Sequence, residues 1–182
     1  MDIKTVTVYC SSSSELSPEY YDAGRRFGEI LAEKGATLVF GGADMGLMKE
    51  VCDAVLGGGG RAVGIIPRRI YEWKGADPAL SELVIVEDIR TRKQIMEDRA
   101  DAIIALPGGI GTMDEFYESM VQKQLGFHEK PLVLANINGY YDKWLEFFDQ
   151  GIRQHFMVFG EEHLFHVVTS VEDIFPYLEE IA

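Results

Sequence analysis

Short apolar runs punctuate the chain at residues 6–9, 37–40, 62–66, 83–86, 102–106 and 132–135. None alternates strictly between apolar and polar, which is the pattern of strands buried on both faces of a parallel sheet. The segments between them carry a helical period. At 17–34, Ser17 is a suitable N-cap, Pro18 suits the first turn, and Phe27, Ile30 and Leu31 share a face. A second helix is expected from near Met45 and a third over 89–99. The clearest contains Met113, Phe116, Tyr117, Met120, Val121 and Leu125 at i, i+3, i+4, i+7 spacing. Two more, over 140–154 and 171–180, complete the series. Strand and helix alternate throughout, so the spacing predicts an α/β fold. It is a doubly wound, mainly parallel sheet flanked by helices, a Rossmann-like nucleotide-binding fold in one domain spanning 1–182.

Ligands in such sheets sit beyond the carboxyl ends of the strands. Three of those ends lead into small residues: Cys10 and the serines at 11–14, the loop Gly41-Gly42-Ala43-Asp44-Met45-Gly46, and Pro107-Gly108-Gly109-Ile110-Gly111-Thr112. The last leaves a strand and enters a helix, where glycines admit close approach and free amides attract an anion. It reads either as a phosphate cradle or as a tight turn closed by a Thr112/Glu115 capping box. The dinucleotide fingerprint is absent, because Asp114 stands at its third glycine. Gly41 to Gly46 has P-loop spacing, but Leu47-Met48 replaces the Lys-Ser/Thr that ATP hydrolysis needs. That loop either admits a ribose or base or simply packs tightly, and the serines either donate hydroxyls or form a polar turn. Residues 57–60, all glycine, read as a helix C-cap and turn.

Length adds that 182 residues suffice for a real core, burying about 70% of the unfolded surface. The net charge of −13 argues against a nucleic-acid partner, which requires a basic face. No apolar run approaches a membrane span and no signal-peptide pattern opens the chain, so a cytoplasmic location without membrane partners is expected. The charge is uneven: residues 61–99 hold 8 basic against 7 acidic groups and six of the nine arginines. Guanidiniums gathered in one stretch suit a small anion. Arg92 and Lys93 fall in the first turns of a helix, where cations oppose the dipole. They are either a solvated face or partners of a local anion or carboxylate. Met96 and Arg99 follow at helical spacing and join Ser11 and Gly42 among the candidate substrate-binding residues. Glu115 lies off the apolar stripe, on a face with Glu118, Ser119 and Gln122, free to point at a ligand. His128, His155, His163 and His166 make no convincing metal set, and neither metal nor cofactor is expected. Cys10 and Cys52 read as buried small apolar residues.

Taken together, Gly41 to Met48, Gly64-Ile65-Ile66-Pro67, Arg92-Lys93, Pro107 to Glu115 and Leu125 to Pro131 resemble the Lonely Guy family of cytokinin riboside 5'-monophosphate phosphoribohydrolases. The likeness spans nearly the whole chain, and Pro-Gly-Gly-x-Gly-Thr-x-x-Glu preceded by Arg-Lys is its most specific part. It implies a catalytic Arg92 and Glu115, and a phosphate site over Pro107, Gly108, Gly109, Ile110, Gly111 and Thr112. It also implies a nucleoside monophosphate substrate and a homodimer or higher homo-oligomer with active sites near the interface. Ala43 and Lys49 stand where the family commonly has glycine, and Gln122-Lys123 where it has Trp-Ala. These changes leave the Arg92 and Glu115 pair intact and bear on base preference and subunit packing. Many relatives carry a lysine decarboxylase label, but no lysine here has the Ser-x-His-Lys setting that holds pyridoxal phosphate. A nucleotide carrier or sensor without hydrolytic activity is the competing expectation.

Overall fold

The computed structural model describes residues 3–157 and 164–181. In chain order the elements are β1 (Thr5–Tyr9), α1 (Pro18–Glu33), β2 (Thr37–Phe40), α2 (Gly46–Gly57), β3 (Ala62–Pro67), α3 (Arg68–Lys74), β4 (Glu82–Val86), α4 (Ile89–Arg99), β5 (Ala102–Ala105), α5 (Ile110–Gln124), β6 (Leu132–Ala135), α6 (Asp142–Arg153), β7 (His166–Val168) and α7 (Ile174–Glu180). Two 3-10 turns, Ile137–Gly139 and Val171–Asp173, precede α6 and α7.

Seven parallel strands form one sheet in the order β4-β3-β2-β1-β5-β6-β7. Successive side chains on a strand point to opposite faces, and the apolar runs divide accordingly. Val6, Val8, Leu38, Phe40 and Ile104 join Phe27 and Leu31 of α1, Val51 of α2 and Phe175 of α7 in one core. Tyr9, Val39, Ile65 and Ile103 join Met96 of α4, Phe116 and Met120 of α5 and Phe148 of α6 in the other. Each fully buried large side chain contributes about 1.5–3 kcal/mol, so both faces must be covered. The chain winds outward from β1 to β4, then crosses back beneath the sheet through α4 to lay β5 on the other side of β1. Right-handed crossovers running in opposite directions place their helices on opposite faces. The reversal between β1 and β5 leaves a crevice at their carboxyl ends.

The six expected strands are present, and a seventh, β7, joins the sheet beside β6. Helix α3 has no counterpart in the apolar pattern, because none of its residues is buried. Ser17 takes the N-cap position of α1 with Pro18 first in the helix, as expected, but its hydroxyl makes no capping bond. Helix α2 ends at Gly58, where the amides of Gly59 and Gly60 return to the carbonyls of Leu56 and Val55, the expected glycine cap. The Thr112/Glu115 capping box does not form. The N-cap of α5 is Gly109, three residues before Thr112, so Glu115 is too deep in the helix to reach back to it. Cys10 and Cys52 are free and buried.

Candidate active site

Three hydrogen bonds draw the loops after β1, β2 and β5 around the crevice. Ser11 N–H donates to the Pro107 carbonyl at 3.2 Å, Met48 N–H donates to the Ser11 carbonyl at 3.3 Å, and Leu106 N–H donates to the Tyr9 carbonyl at 2.9 Å. Gly46 makes the approach of the first two loops feasible. It adopts φ +60°, and a β-carbon there would stand 2.5 Å from backbone atoms of Ser12 and Ser13. The result is a cleft of about 400 Å³, with Ser11, Gly109, Thr112 and Glu115 on one wall and Met48 and Trp73 on the other.

The entry to α5 presents backbone amides toward the cleft. Its first intrahelical bond runs from Met113 N–H to the Gly109 carbonyl at 3.1 Å. The amides of Ile110, Gly111 and Thr112 therefore have no partner within the helix. Pro107, Gly108 and Thr112 are buried, and Tyr140 fixes the loop by donating from its hydroxyl to the Gly108 carbonyl at 2.8 Å.

Arg92 reaches the cleft from α4. Its Nε donates to the Ile65 carbonyl at 3.1 Å, and its Nη2 lies 3.1 Å from Oε1 of Glu115 on α5. Both side chains are largely buried, at 14% and 9% exposure. Burial pushes the Glu115 carboxyl above its ordinary range, while the Arg92 guanidinium opposes that shift. Burial likewise raises the Cys10 thiol in the cleft, so it stays protonated and is no nucleophile. Lys93 pairs with Asp114 at 3.0 Å and with Glu118. Both cations at the start of α4 thus meet carboxylates of α5 instead of forming a solvated face.

The expected face of α5 is corrected. Glu115 and Ser119 are buried alongside Phe116 and Met120, while Glu118 turns outward to Lys93. Ser119 tolerates this because its hydroxyl donates to the Glu115 carbonyl.

Other candidates are distributed differently. Ser11, Gly109, Ile110, Gly111 and Thr112 line the cleft with Arg92 and Glu115. Gly42 lies just behind it, with φ +74° and its carbonyl accepting from Asp77 N–H. Met96 is fully buried in the core beneath the sheet, and Arg99 pairs with Glu82 at 2.7 Å on the sheet edge, so neither reaches the cleft of this chain. Among the described residues no group of three or more His, Cys, Asp or Glu side chains could hold a metal ion, and no helix is long and apolar enough to cross a membrane. His163 lies outside the described residues. Met45, Met48, Ile70, Trp73 and Lys74 also line the cleft, and apolar periodicity carried no sign of them there.

The architecture is that of a doubly wound α/β protein with a glycine-rich loop opening a helix and a buried Arg–Glu pair at the sheet's reversal point. Residues 48–178 match the family described as "Possible lysine decarboxylase". A rice protein (Oryza sativa subsp. japonica) named "Probable cytokinin riboside 5'-monophosphate phosphoribohydrolase" is 38% identical over 97% of this chain and 78% of its own length. An Arabidopsis thaliana cytokinin riboside 5'-monophosphate phosphoribohydrolase is 34% identical over 98% of this chain and 87% of its own. The chain belongs to this family, the Lonely Guy phosphoribohydrolases. Among solved structures, the protein titled TM1055 has a TM-score of 0.75 at 27% identity, covering 98% of this chain and 99% of that one. The molybdenum cofactor carrier protein of Chlamydomonas reinhardtii has a TM-score of 0.74 at 19% identity, covering 98% and 97%, a likeness of fold alone.

Proposed function

We propose that the protein hydrolyses the N-glycosidic bond of an N6-substituted adenosine 5'-monophosphate, releasing the free cytokinin-type base and ribose 5-phosphate. The observation that carries this reading is the buried Arg92–Glu115 pair, held at 3.1 Å beside the amides that open α5. A passive carrier needs the amides, but it has no need of a buried, paired carboxylate next to them. The names of the rice and Arabidopsis relatives support the same reaction.

In this mechanism the 5'-phosphate is held by the amides of Ile110, Gly111 and Thr112, an interaction with the helix start worth about 0.3–1 kcal/mol, rising to about 2 when partly buried. That anchorage orients the sugar across the cleft and uses remote binding energy for the bond that breaks. As the bond from C1' to the base nitrogen lengthens, the electron pair leaves with the base and the sugar gains oxocarbenium character. The Glu115 carboxylate stabilises that positive charge and accepts a proton from the attacking water, whose oxygen bonds to C1'. Arg92 stabilises negative charge on the phosphate or the departing base, which takes up a proton from solvent while Glu115 gives back to solvent the one it took from the attacking water.

Incubation with AMP and N6-isopentenyl-AMP, followed by chromatography for base and ribose 5-phosphate, tests the proposal. Arg92→Ala and Glu115→Gln are each expected to lower turnover at least ~100-fold. Wild-type rates in both variants, or nucleotide recovered unchanged from the wild type, would refute it.

The same reading includes a cytoplasmic homodimer or higher homo-oligomer that binds neither nucleic acid nor membrane. Self-association is supported by an exposed apolar stripe near the end of α5, where Val121, Leu125 and Phe127 are 50%, 65% and 74% exposed. Ile89 of α4 and Glu118 of α5 line a groove on the same side of the fold. Light scattering on the wild type and on Leu125→Glu/Phe127→Glu measures it. A wild-type monomer at micromolar concentration would remove this part of the proposal.

A further inference from the structure

The two walls of the cleft differ in chemistry because they come from opposite halves of the sheet. The loops after β1 and β5 contribute hydroxyls, free amides and Glu115. The segments after β2 and β3 contribute Met45, Met48, Ile70 and Trp73. On that apolar wall, α3 is unusual: it buries none of its residues, yet it turns Ile70, Trp73 and Lys74 into the cleft. Trp73 is 77% exposed. A large indole left in water at the mouth of a cleft is a more informative observation than an isolated exposed leucine. Its position is supported from one side. The Lys74 ammonium lies 4.5 Å from the centre of the Trp73 ring and 3.6 Å from the Met45 sulfur on the same wall, joining α3 to the entry of α2.

We infer that Trp73 is the residue that recognises the base, stacking on the purine ring of the bound nucleotide and setting the tolerance for its N6 substituent, with Lys74 as the positioning residue. The inference rests on the cleft being a nucleotide site. With phosphate and ribose on the polar wall, the planar, apolar base is left to the wall that carries Met45, Met48, Ile70 and Trp73. A base has a π-face whatever its substituent, so an indole platform binds the ring and leaves the N6 edge free to carry an apolar group along Met45 and Ile70.

The test uses full-length Glu115→Gln protein, which separates binding from turnover, with 5'-AMP, N6-isopentenyl-AMP and ribose 5-phosphate as probes. The chain has two tryptophans. Trp144 is packed against Phe148 and Phe165 and donates from Nε1 to the Tyr117 hydroxyl, so ligand-dependent emission reports Trp73. Both nucleotides are expected to quench that emission, and ribose 5-phosphate to leave it unchanged. Trp73→Ala should weaken nucleotide binding about 10- to 100-fold by calorimetry while ribose 5-phosphate affinity stays within about twofold. Trp73→Phe should restore part of the loss. Lys74→Met should change the ratio of affinities for the two nucleotides more than it changes affinity for ribose 5-phosphate. Nucleotide affinity unaltered by Trp73→Ala, or an equal loss for ribose 5-phosphate, would overturn the stacking role while leaving the proposed reaction standing. Absence of any nucleotide binding would overturn both.

Discussion

Gly41, the first residue after β2, offers a way to displace Arg92 without altering any group assigned to the chemistry. A β-carbon built there would lie 3.4 Å from Cζ of Arg92, overlap its Nη2 and stand 3.1 Å from the Met48 sulfur. Gly41 is not among the glycines with positive φ, so alanine fits the backbone itself. The crowded atoms are the tips of side chains, and the guanidinium can yield. To restore an ordinary separation it must retreat by about 1 Å. Nη2 is the atom that faces Glu115, so the movement lengthens the 3.1 Å contact beyond hydrogen-bonding range. A misplacement of about 1 Å in a preorganised site costs about 100-fold in rate, equivalent to about 2.7 kcal/mol of activation free energy. Stability should change little. Loss of one charge-assisted bond costs about 1.5–3 kcal/mol at most, offset by the ~0.4–1 kcal/mol that Gly→Ala removes from the entropy of the unfolded chain. Gly41→Ala should therefore melt within several degrees of wild type by circular dichroism, while chromatographic release of base falls about 100-fold. Gly46→Ala is the contrasting control, since its clash is with backbone, and it should lower the melting temperature itself. Wild-type turnover in Gly41→Ala would show that the Arg92 position does not limit the reaction.

Glu115→Gln, besides losing activity, should melt at or above wild type at pH 7. Burial raises the folded-state pKa, so the contribution of Glu115 to stability is complete below its unfolded pKa and is lost as pH rises through the folded one. The advantage of the variant should shrink toward pH 4, and an advantage that grows on acidification would contradict the reasoning. The same shift places the acid limb of kcat/KM above the ordinary carboxylate range. Lys93→Met should move that limb to still higher pH, because the Lys93 charge lowers the Glu115 pKa; a limb displaced downward in a pH-rate series would refute this. Tyr141→Phe removes a buried 2.8 Å hydrogen bond to the Leu106 carbonyl. It should cost about 1–3 kcal/mol in urea unfolding, and an unchanged midpoint would show that the carbonyl finds another donor.

Apolar runs revealed β1, β2, β3, β5 and β6 because strands covered on both faces are largely apolar, and β4 showed such a run although it is an edge strand with Leu83 exposed. Strand β7 escaped that criterion: it is three residues long and begins with the exposed His166. Helix α3 escaped for a related reason, since a helix that faces the cleft and solvent has no core stripe to create a period. With it went the apolar wall of the site. The glycine loops were legible because their backbone demands are local. The Arg92–Glu115 pair was carried by resemblance, because residues on two different helices share no sequence period. The polar character of Glu115 and Ser119 even pointed outward, whereas Arg92 and the Tyr9 hydroxyl give those side chains polar neighbours inside.

The position of β1 also bears on the order in which the molecule is completed. The first strand of the sheet in chain order lies at its centre, paired with β2 on one side and β5 on the other. A nascent chain that has reached α4 can already align β1 to β4, but one flank of β1 then lacks its neighbour and Arg92 lacks its carboxylate. Glu115 arrives only with α5, once β5 has docked against β1. Closure of the ion pair therefore marks the joining of the two halves of the sheet, before β6, α6, β7 and α7 are added to its far side.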